Sequence, residues 1–462
     1  MTATLSATTG AAGAQRLSHP VRVPLAAAPL GIWGSFAAGR RNILALIPEA
    51  ATRLPIVSGA SPRRWHMVTD PAALRRVLRD RVEDYPKSDA TKLILAPAIG
   101  DSLFVAEGES WLWQRRTAAP VFGARNIAAL GPVMTAAAEA AAARLAAAAG
   151  RRAVDLFAEM VTATFAVIAD VTVSGGGFDR DATHAAIDRY IAEAARLSLF
   201  DLLGLPAWVP RPERAFAARS IAAMKAGADA AIAARQAQGP RPVPDLLDLL
   251  AAGADPKSGR RMTDGELRDN LLTFIVAGHE TTALTLAWAF YLLAHDAAAQ
   301  DRARAEAQAV LGERAAAAAD VPHLPYLRAV IDEALRLYPP AGFLSRTARE
   351  RDVLCGTDIH PGDTVMLPVY ALHRHHALWR DPDAFDPARF LGPAPARFSY
   401  LPFGDGPRIC IGAAFAVQEA VIILATLIAR FRLAPVPGRD PAPVMILTLR
   451  PEGGVWLTVE PA

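Results

Sequence analysis

The chain has 462 residues, a hydrophobic content of 52% and a formal charge of +3 at pH 7, enough apolar material for an extensive core and no cationic excess that would point to nucleic acid. Its 2 cysteines, Cys355 and Cys410, exclude a disulfide framework and suit a reducing compartment, so a cytoplasmic location is expected. Residues 1–20 are Ala/Thr-rich and expected to be disordered, and 21–462 read as a single domain. Neither a secretory leader nor an uninterrupted apolar run of about 18 residues is found, so no integral membrane anchor is expected.

Strand-like runs near 54–57 and 65–68 precede a helix over 71–79. Pro86 then opens a segment, expected to be irregular, that continues to Glu107. From Ser110 helical patterning dominates, over 110–122, 126–149, 155–172, 180–199 and 211–238, and the Ala-rich second run is a helix rather than a linker because Ala is the strongest helix former. In the first of these, Trp111 and Arg115 stand four residues apart, so an indole N–H and a guanidinium can reach one place. A surface salt bridge is the alternative use of such an arginine.

Thr263-Asp264-Gly265-Glu266 is a capping box that should start a long helix. Its apolar run, 271–294, carries Gly278, His279 and Glu280 at the middle, where ionisable groups are costly in lipid, so it reads as a buried helix. The segment Ala277-Gly278-His279-Glu280-Thr281-Thr282 sets a small-residue notch beside an acid and two hydroxyls. Small residues let a flat ligand approach the backbone, a mid-helix Thr can bond to the preceding turn, and Glu beside Thr can form a proton relay. A satisfied polar pair in a helical core is the alternative, and His279 and Thr282 are expected to face away or bond within the helix.

Over 327–338 the apolar positions Leu327, Ile331, Ala334, Leu335 and Tyr338 fall at helical spacing, leaving Glu333 and Arg336 together on another face. An i, i+3 ion pair is ordinarily a solvated surface pair worth little. Strand signals return at 344–348, 353–355, 364–367 and 444–459, with Gly453-Gly454 as a turn. Helices outweigh strands, which gives a mainly α (α+β) fold with a minor β-sheet region.

The stretch Phe403-Gly404-Asp405-Gly406-Pro407-Arg408-Ile409-Cys410-Ile411-Gly412 places one cysteine between glycines ahead of an apolar helix. Gly406 and Gly412 let backbone N–H groups approach the sulfur, and the helix beginning near Ile411 aims its positive end at it. Arg408, opposite Ile409 in a locally extended loop, can meet the anionic edge of a cofactor. This is a binding loop for a thiolate-ligated metal; a small buried hydrophobe is the alternative for Cys410 alone.

This loop resembles the haem-binding loop of the cytochrome P450 family, and 277–282 resembles that family's oxygen-activation motif. Glu333 and Arg336 with Arg389, the Trp111/Arg115 pair, and Arg346 ten residues after Arg336 match further family elements, so the resemblance spans roughly residues 50–460. It implies a cytochrome P450 fold holding haem b, with Cys410 as the metal ligand and Phe403 packed against the ligand loop. Trp111, Arg115, Arg346 and Arg408 would meet the propionates. Ala277 would lie near the iron, Gly278 would relieve crowding, and Glu280 and Thr281 would form the catalytic acid and alcohol that deliver protons to dioxygen through water. Glu333, Arg336 and Arg389 would be a structural clamp, although Ala388 in Pro387-Ala388-Arg389-Phe390 departs from the usual Glu.

By the same resemblance Leu95, Phe200, Phe274, Ala277, Phe343, Leu344 and Ile446 would line an apolar substrate pocket, and the connection 199–208 would be a lid or a membrane-surface contact. The implied activity is a monooxygenase that hydroxylates or epoxidises an apolar small molecule with O2. NAD(P)H would supply electrons through a ferredoxin and ferredoxin reductase, or a flavodoxin-type carrier, docking near Arg374, Arg380, Arg397 and Arg408. The rival readings are a peroxide-driven peroxygenase of the same fold and a non-catalytic haem sensor; neither needs the Glu280–Thr281 relay.

Overall fold

The computed structural model describes residues 20–28, 30–60, 63–174, 179–194 and 212–462. The expected disorder of 1–19, the end of the 180–199 helix, the 199–208 connection and Phe200 lie outside the described residues. The longer helices are α1 (Ile32–Arg41), α2 (Asp89–Ile99), α3 (Gly108–Ala118), α4 (Gly131–Ala148), α5 (Leu156–Thr172), α6 (Arg180–Ala194), α7 (Pro212–Gln238), α8 (Leu246–Ala252), α9 (Asp264–His295), α10 (Ala297–Leu311), α11 (Pro325–Leu337) and α12 (Ala413–Arg430).

The capping box forms as the sequence predicts: the Thr263 hydroxyl accepts from the Glu266 N–H, and the Glu266 carboxylate accepts from the Thr263 N–H at 2.9 Å. From that start α9 runs for 32 residues through the centre, flanked by α5, α7, α11 and α12. Trp288 of α9 stacks on Tyr338, which follows α11, with ring centroids 3.8 Å apart and planes 9° from parallel. Both rings are buried, and such a pair adds about 1 kcal/mol beyond its burial. Among the described residues α12 is the one helix long and apolar enough to cross a membrane, and it is mostly buried against α4, α9, α10 and α11.

Small sheets lie at the edges of this helical body. β1 (Ile56–Gly59), β2 (Trp65–Val68), β4 (Leu344–Thr347) and β7 (Thr364–Leu367) form one in the order β1-β2-β7-β4, and β5 (Asp352–Leu354) pairs with β6 (Thr357–Ile359). β3 (Val154–Asp155), β11 (Trp456–Pro461) and β8 (Phe431–Pro435) form a second, and β9 (Ala442–Met445) pairs with β10 (Leu449–Glu452) as an isolated antiparallel hairpin.

One expectation is corrected and one is extended. The segment after Pro86 is not irregular throughout, because Ser88 caps α2 by accepting from the Thr91 N–H, and Pro97 is tolerated close to the helix end at Gly100. In 444–459 the expected turn at Gly453-Gly454 forms, the Gly454 N–H donating to the Pro451 carbonyl at 3.0 Å, and leads from the β9–β10 hairpin into β11 of a different sheet; a further reversal at 446–448 closes that hairpin.

Candidate active site

The cysteine loop is a closed turn with little freedom. The Cys410 N–H donates to the Phe403 carbonyl at 2.9 Å, and the Ile409 N–H to the Gly406 carbonyl at 3.1 Å. Gly406 has φ +76°, and a Cβ there would overlap the Leu78 carbonyl oxygen. Gly406→Ala is therefore expected to cost more than the roughly 1–2 kcal/mol of a left-handed residue, read as a lowered denaturant midpoint. Gly412 follows as the N-cap of α12, with no side chain capping the helix start. Burial pushes the Cys410 thiol up, while the Gly412 N–H and the Arg115 guanidinium pull it down. Yet Cys410 is solvent-accessible: a deep group that retains accessible surface lines an interior slot.

Cations gather beside that loop. The Arg408 guanidinium pairs with Glu107, donates to the Ala106 carbonyl at 3.2 Å, and lies 4.6 Å from the centroid of Trp111. Arg346 is 7% exposed and its Nε is buried with no hydrogen-bond partner. Lys87 donates through Nζ to the Phe104 carbonyl, while its backbone N–H bonds to Glu107 at 2.8 Å. Burial, then Arg408 and Arg346, push the Lys87 ammonium down to about 7, with Glu107 opposing. Arg115 is also lowered by burial, opposed by Cys410. Cations this crowded, with Arg346 buried and Lys87, Arg115 and Arg408 half-buried, call for more anionic partners than Glu107, so the residues present fit a dicarboxylate cofactor held by a thiolate.

Between its exposed ends Asp264 and His295, Ala277 is the only exposed residue of α9. One turn on, the Thr281 hydroxyl donates to the Ala277 carbonyl at 2.8 Å and keeps partial exposure. Glu280 is 3% exposed and paired with Arg450 of β10. Gly278 serves packing: a Cβ there would come within 2.8 Å of Ile168 on α5. His279 turns away, its Nδ1 on the Ile275 carbonyl at 2.9 Å and its own carbonyl accepting from Thr164 at 2.8 Å. Thr282 faces Glu419 of α12, a fully buried acid that burial holds well above the usual carboxyl range against the Thr282 hydrogen bond.

The Glu333–Arg336 pair is not on the surface. Both side chains are 0% exposed, and Arg336 meets the carboxylate in two bonds of 2.6 and 2.7 Å. Its remaining donors reach the carbonyls of His373 (2.8 Å), Pro382 (2.7 Å) and Ala384 (2.9 Å). Arg389 joins Glu333 at 3.3 Å. His373 links this cluster to the ligand loop: its Nδ1 donates to the Arg336 carbonyl at 3.2 Å and its Nε2 accepts from the Leu401 N–H at 2.8 Å. Burial, with Arg336 next, lowers the imidazole to about 3, so it stays neutral in this bridging role.

The pocket residues divide. Leu95 packs with Ile275, Val276 and Leu447 in one cluster, and Phe343 and Leu344 stay partly accessible, Leu344 lying near Gly404 of the ligand loop. Phe274 turns from that group to meet Phe122 edge-on at 5.1 Å. Ile446 opens into a surface cleft of about 450 Å³ beside Arg40, Arg41 and Pro443, while its neighbour Leu447 faces inward. The proposed docking arginines also divide: Arg374 is buried over the Tyr370 ring at 3.8 Å and Arg408 is held by Glu107, whereas Arg380 and Arg397 are exposed.

Sequence reasoning missed Lys87, Glu107, His373 and Arg450. The Glu107–Arg408 and Glu280–Arg450 partners lie 301 and 170 residues apart, a separation that carries no periodic signal.

The chain matches the cytochrome P450 family model over residues 57–458. Cyclooctatin synthase of Streptomyces melanosporofaciens is 35% identical over 401 residues, covering 84% of this chain and 85% of that protein. Cyclooctat-9-en-7-ol 5-monooxygenase of the same organism is 33% identical over 430 residues, covering 91% and 90%. Among solved structures, the haem domain of cytochrome P450DA superposes with a TM-score of 0.78 at 26% identity, covering 88% of this chain and 90% of that one.

Proposed function

The chain belongs to the cytochrome P450 family and is a monooxygenase, and from that premise we propose that it inserts one oxygen atom of O2 into an apolar, alicyclic organic molecule, using electrons from a separate ferredoxin. The observation that carries the reading is the crowd of Lys87, Arg346 and Arg408 around the single carboxylate of Glu107. It suits the two propionates of haem b, next to the accessible Cys410.

In this reading Cys410 ligates the iron, helped by the Gly412 N–H and Arg115, which favour the thiolate. Arg115, Arg346, Arg408 and the Trp111 indole hold the propionates. When bound, thiolate-ligated haem supplies the redox chemistry that activates O2. The protein's own part is to exclude water, orient the substrate and deliver protons. Exposed Ala277 leaves room over the cofactor face. Thr281 holds its hydroxyl at the slot through the Ala277 carbonyl, and Glu280 stands beside it as the acid.

Thr281→Ala is expected to keep haem content while diverting most consumed O2 to hydrogen peroxide. The assay is peroxide and product per NAD(P)H oxidised; tight coupling in the variant sinks the relay role. That relay also separates the reading from a peroxygenase or a passive sensor, neither of which needs protons delivered to O2.

Leu95, Leu344, Phe343 and Leu447 offer an apolar lining with few polar anchors, which orients a substrate by shape. The relative named for cyclooctat-9-en-7-ol points the same way, toward a cyclic alkenol. Titrating the haem absorbance band with cyclic terpenes, steroids, fatty acids and aromatics tests this, with the tightest shift expected from the cyclic terpenes. For the electron donor, a cleft of about 310 Å³ lined by Arg79, Arg397, Asp405, Gly406 and Pro407 borders the ligand loop. Its two arginines, Arg79 and Arg397, offer positive charge to an acidic ferredoxin.

A further inference from the structure

We propose that Arg450 positions Glu280 and that the seam between α9 and β10 is where protons enter from solvent, an inference that rests on the relay role of Glu280 and Thr281 proposed above. Glu280 is a carboxylate 3% exposed in an apolar helix, and such a group needs a cation. On α9 itself the residues three and four positions away are Val276, Ala277, Ala283 and Leu284, none able to pair with it. The cation comes instead from the C-terminal hairpin, where the Arg450 side chain retains 31% exposure. One guanidinium therefore links the buried acid to accessible surface at the hairpin.

That reach is fixed by the strand. The neighbouring Leu449 is pinned at both backbone groups: its carbonyl accepts from Trp288 Nε1 at 3.1 Å, and its N–H donates to the Pro340 carbonyl at 3.1 Å. Arg450 sits opposite Val444 in the β9–β10 register. Three residues earlier Leu447 packs with Leu95, Ile275 and Val276, so the hairpin that holds the acid also touches the apolar lining. Guanidinium does not give up its proton at any working pH. Arg450 therefore acts by orientation: it holds the Glu280 carboxylate at the seam, where a proton taken from solvent can pass inward toward Thr281 and the acid returns to its ionised form.

The test compares Glu280→Gln, Arg450→Gln, Arg450→Lys and the double Glu280→Gln/Arg450→Gln in the haem-loaded protein. Substrate binding, haem content and melting temperature are measured alongside product and peroxide per O2 and the solvent isotope effect on turnover. Arg450→Gln is expected to bind substrate and haem normally yet to lose product formation roughly tenfold or more, in line with a lost proton transfer, with a larger solvent isotope effect. Arg450→Lys should restore most of it, and the double variant should be no worse than Glu280→Gln alone. Wild-type coupling in Arg450→Gln beside an uncoupled Glu280→Gln overturns the role of Arg450 and leaves the relay standing. Wild-type coupling in Glu280→Gln overturns the relay itself. If Arg450→Gln lowers melting temperature and haem content while the properly loaded fraction turns over with an unchanged isotope effect, Arg450 only braces the hairpin and the proposal falls.

Discussion

Cys410→Ser is expected to bring monooxygenase turnover to background and to remove the long-wavelength absorbance of the reduced, CO-bound protein. A serine hydroxyl is not ionised near neutral pH by the Gly412 N–H and Arg115, the two groups that lower the Cys410 thiol, so no anionic sulfur donor remains for the iron. The fold should survive, because Cys410 is exposed and adds little to the core. The loop is held by the backbone bond from Cys410 to Phe403, which serine keeps. Unchanged circular dichroism with a lost band is the expected result; persistence of the band would remove Cys410 as the ligand.

Arg336→Leu is expected to have the opposite character, with little effect on local chemistry and a large loss of stability. It leaves the buried Glu333 carboxylate with only Arg389 and the Asp386 N–H, and strips donors from the His373, Pro382 and Ala384 carbonyls. Breaking a buried pair from one side costs about 3–5 kcal/mol, and each orphaned carbonyl adds to that. The double Glu333→Met/Arg336→Met should recover only part of the loss, because the three carbonyls stay unpaired. Soluble yield, haem incorporation and the denaturant midpoint report the effect; a midpoint near wild type in Arg336→Leu would mean that the clamp does not hold the fold. Because His373 joins Arg336 to Leu401, the damage should reach the cysteine loop although its own residues are intact.

The residues legible in the sequence were those whose partners are local or whose residue types are rare. The Thr263–Glu266 capping box, strands β2 and β7, and the Ala277–Thr282 notch all depend on neighbours within a few positions. Glu333 and Arg336 were legible as a pair, but their burial was not, since the carbonyls that enclose Arg336 come from 37 to 48 residues downstream. Helix α2 was hidden because Pro86 read as the opening of an irregular segment, although Ser88 just after it caps a helix. Lys87, Glu107 and Arg450 look in sequence like ordinary surface charges; only tertiary pairing shows that Lys87 and Glu107 gather with Arg408 and that Arg450 pairs with Glu280. The inward turn of Leu447 and the outward turn of Ile446 depend on which side of a tight reversal each residue occupies, and an apolar run does not set that.

The proposed substrate lining comes from widely separated pieces: Leu95 on α2, Ala277 on α9, Phe343 and Leu344 at the start of β4, and Leu447 at a hairpin tip. The ligand loop and its clamp, by contrast, are tied into one bonded unit by Arg336 and His373. Inherited change can therefore accumulate at one lining position at a time, altering which molecule fits while the half that carries the cysteine loop keeps its shape. An ancestor of this chain could have moved between substrates in single steps, each step remaining foldable.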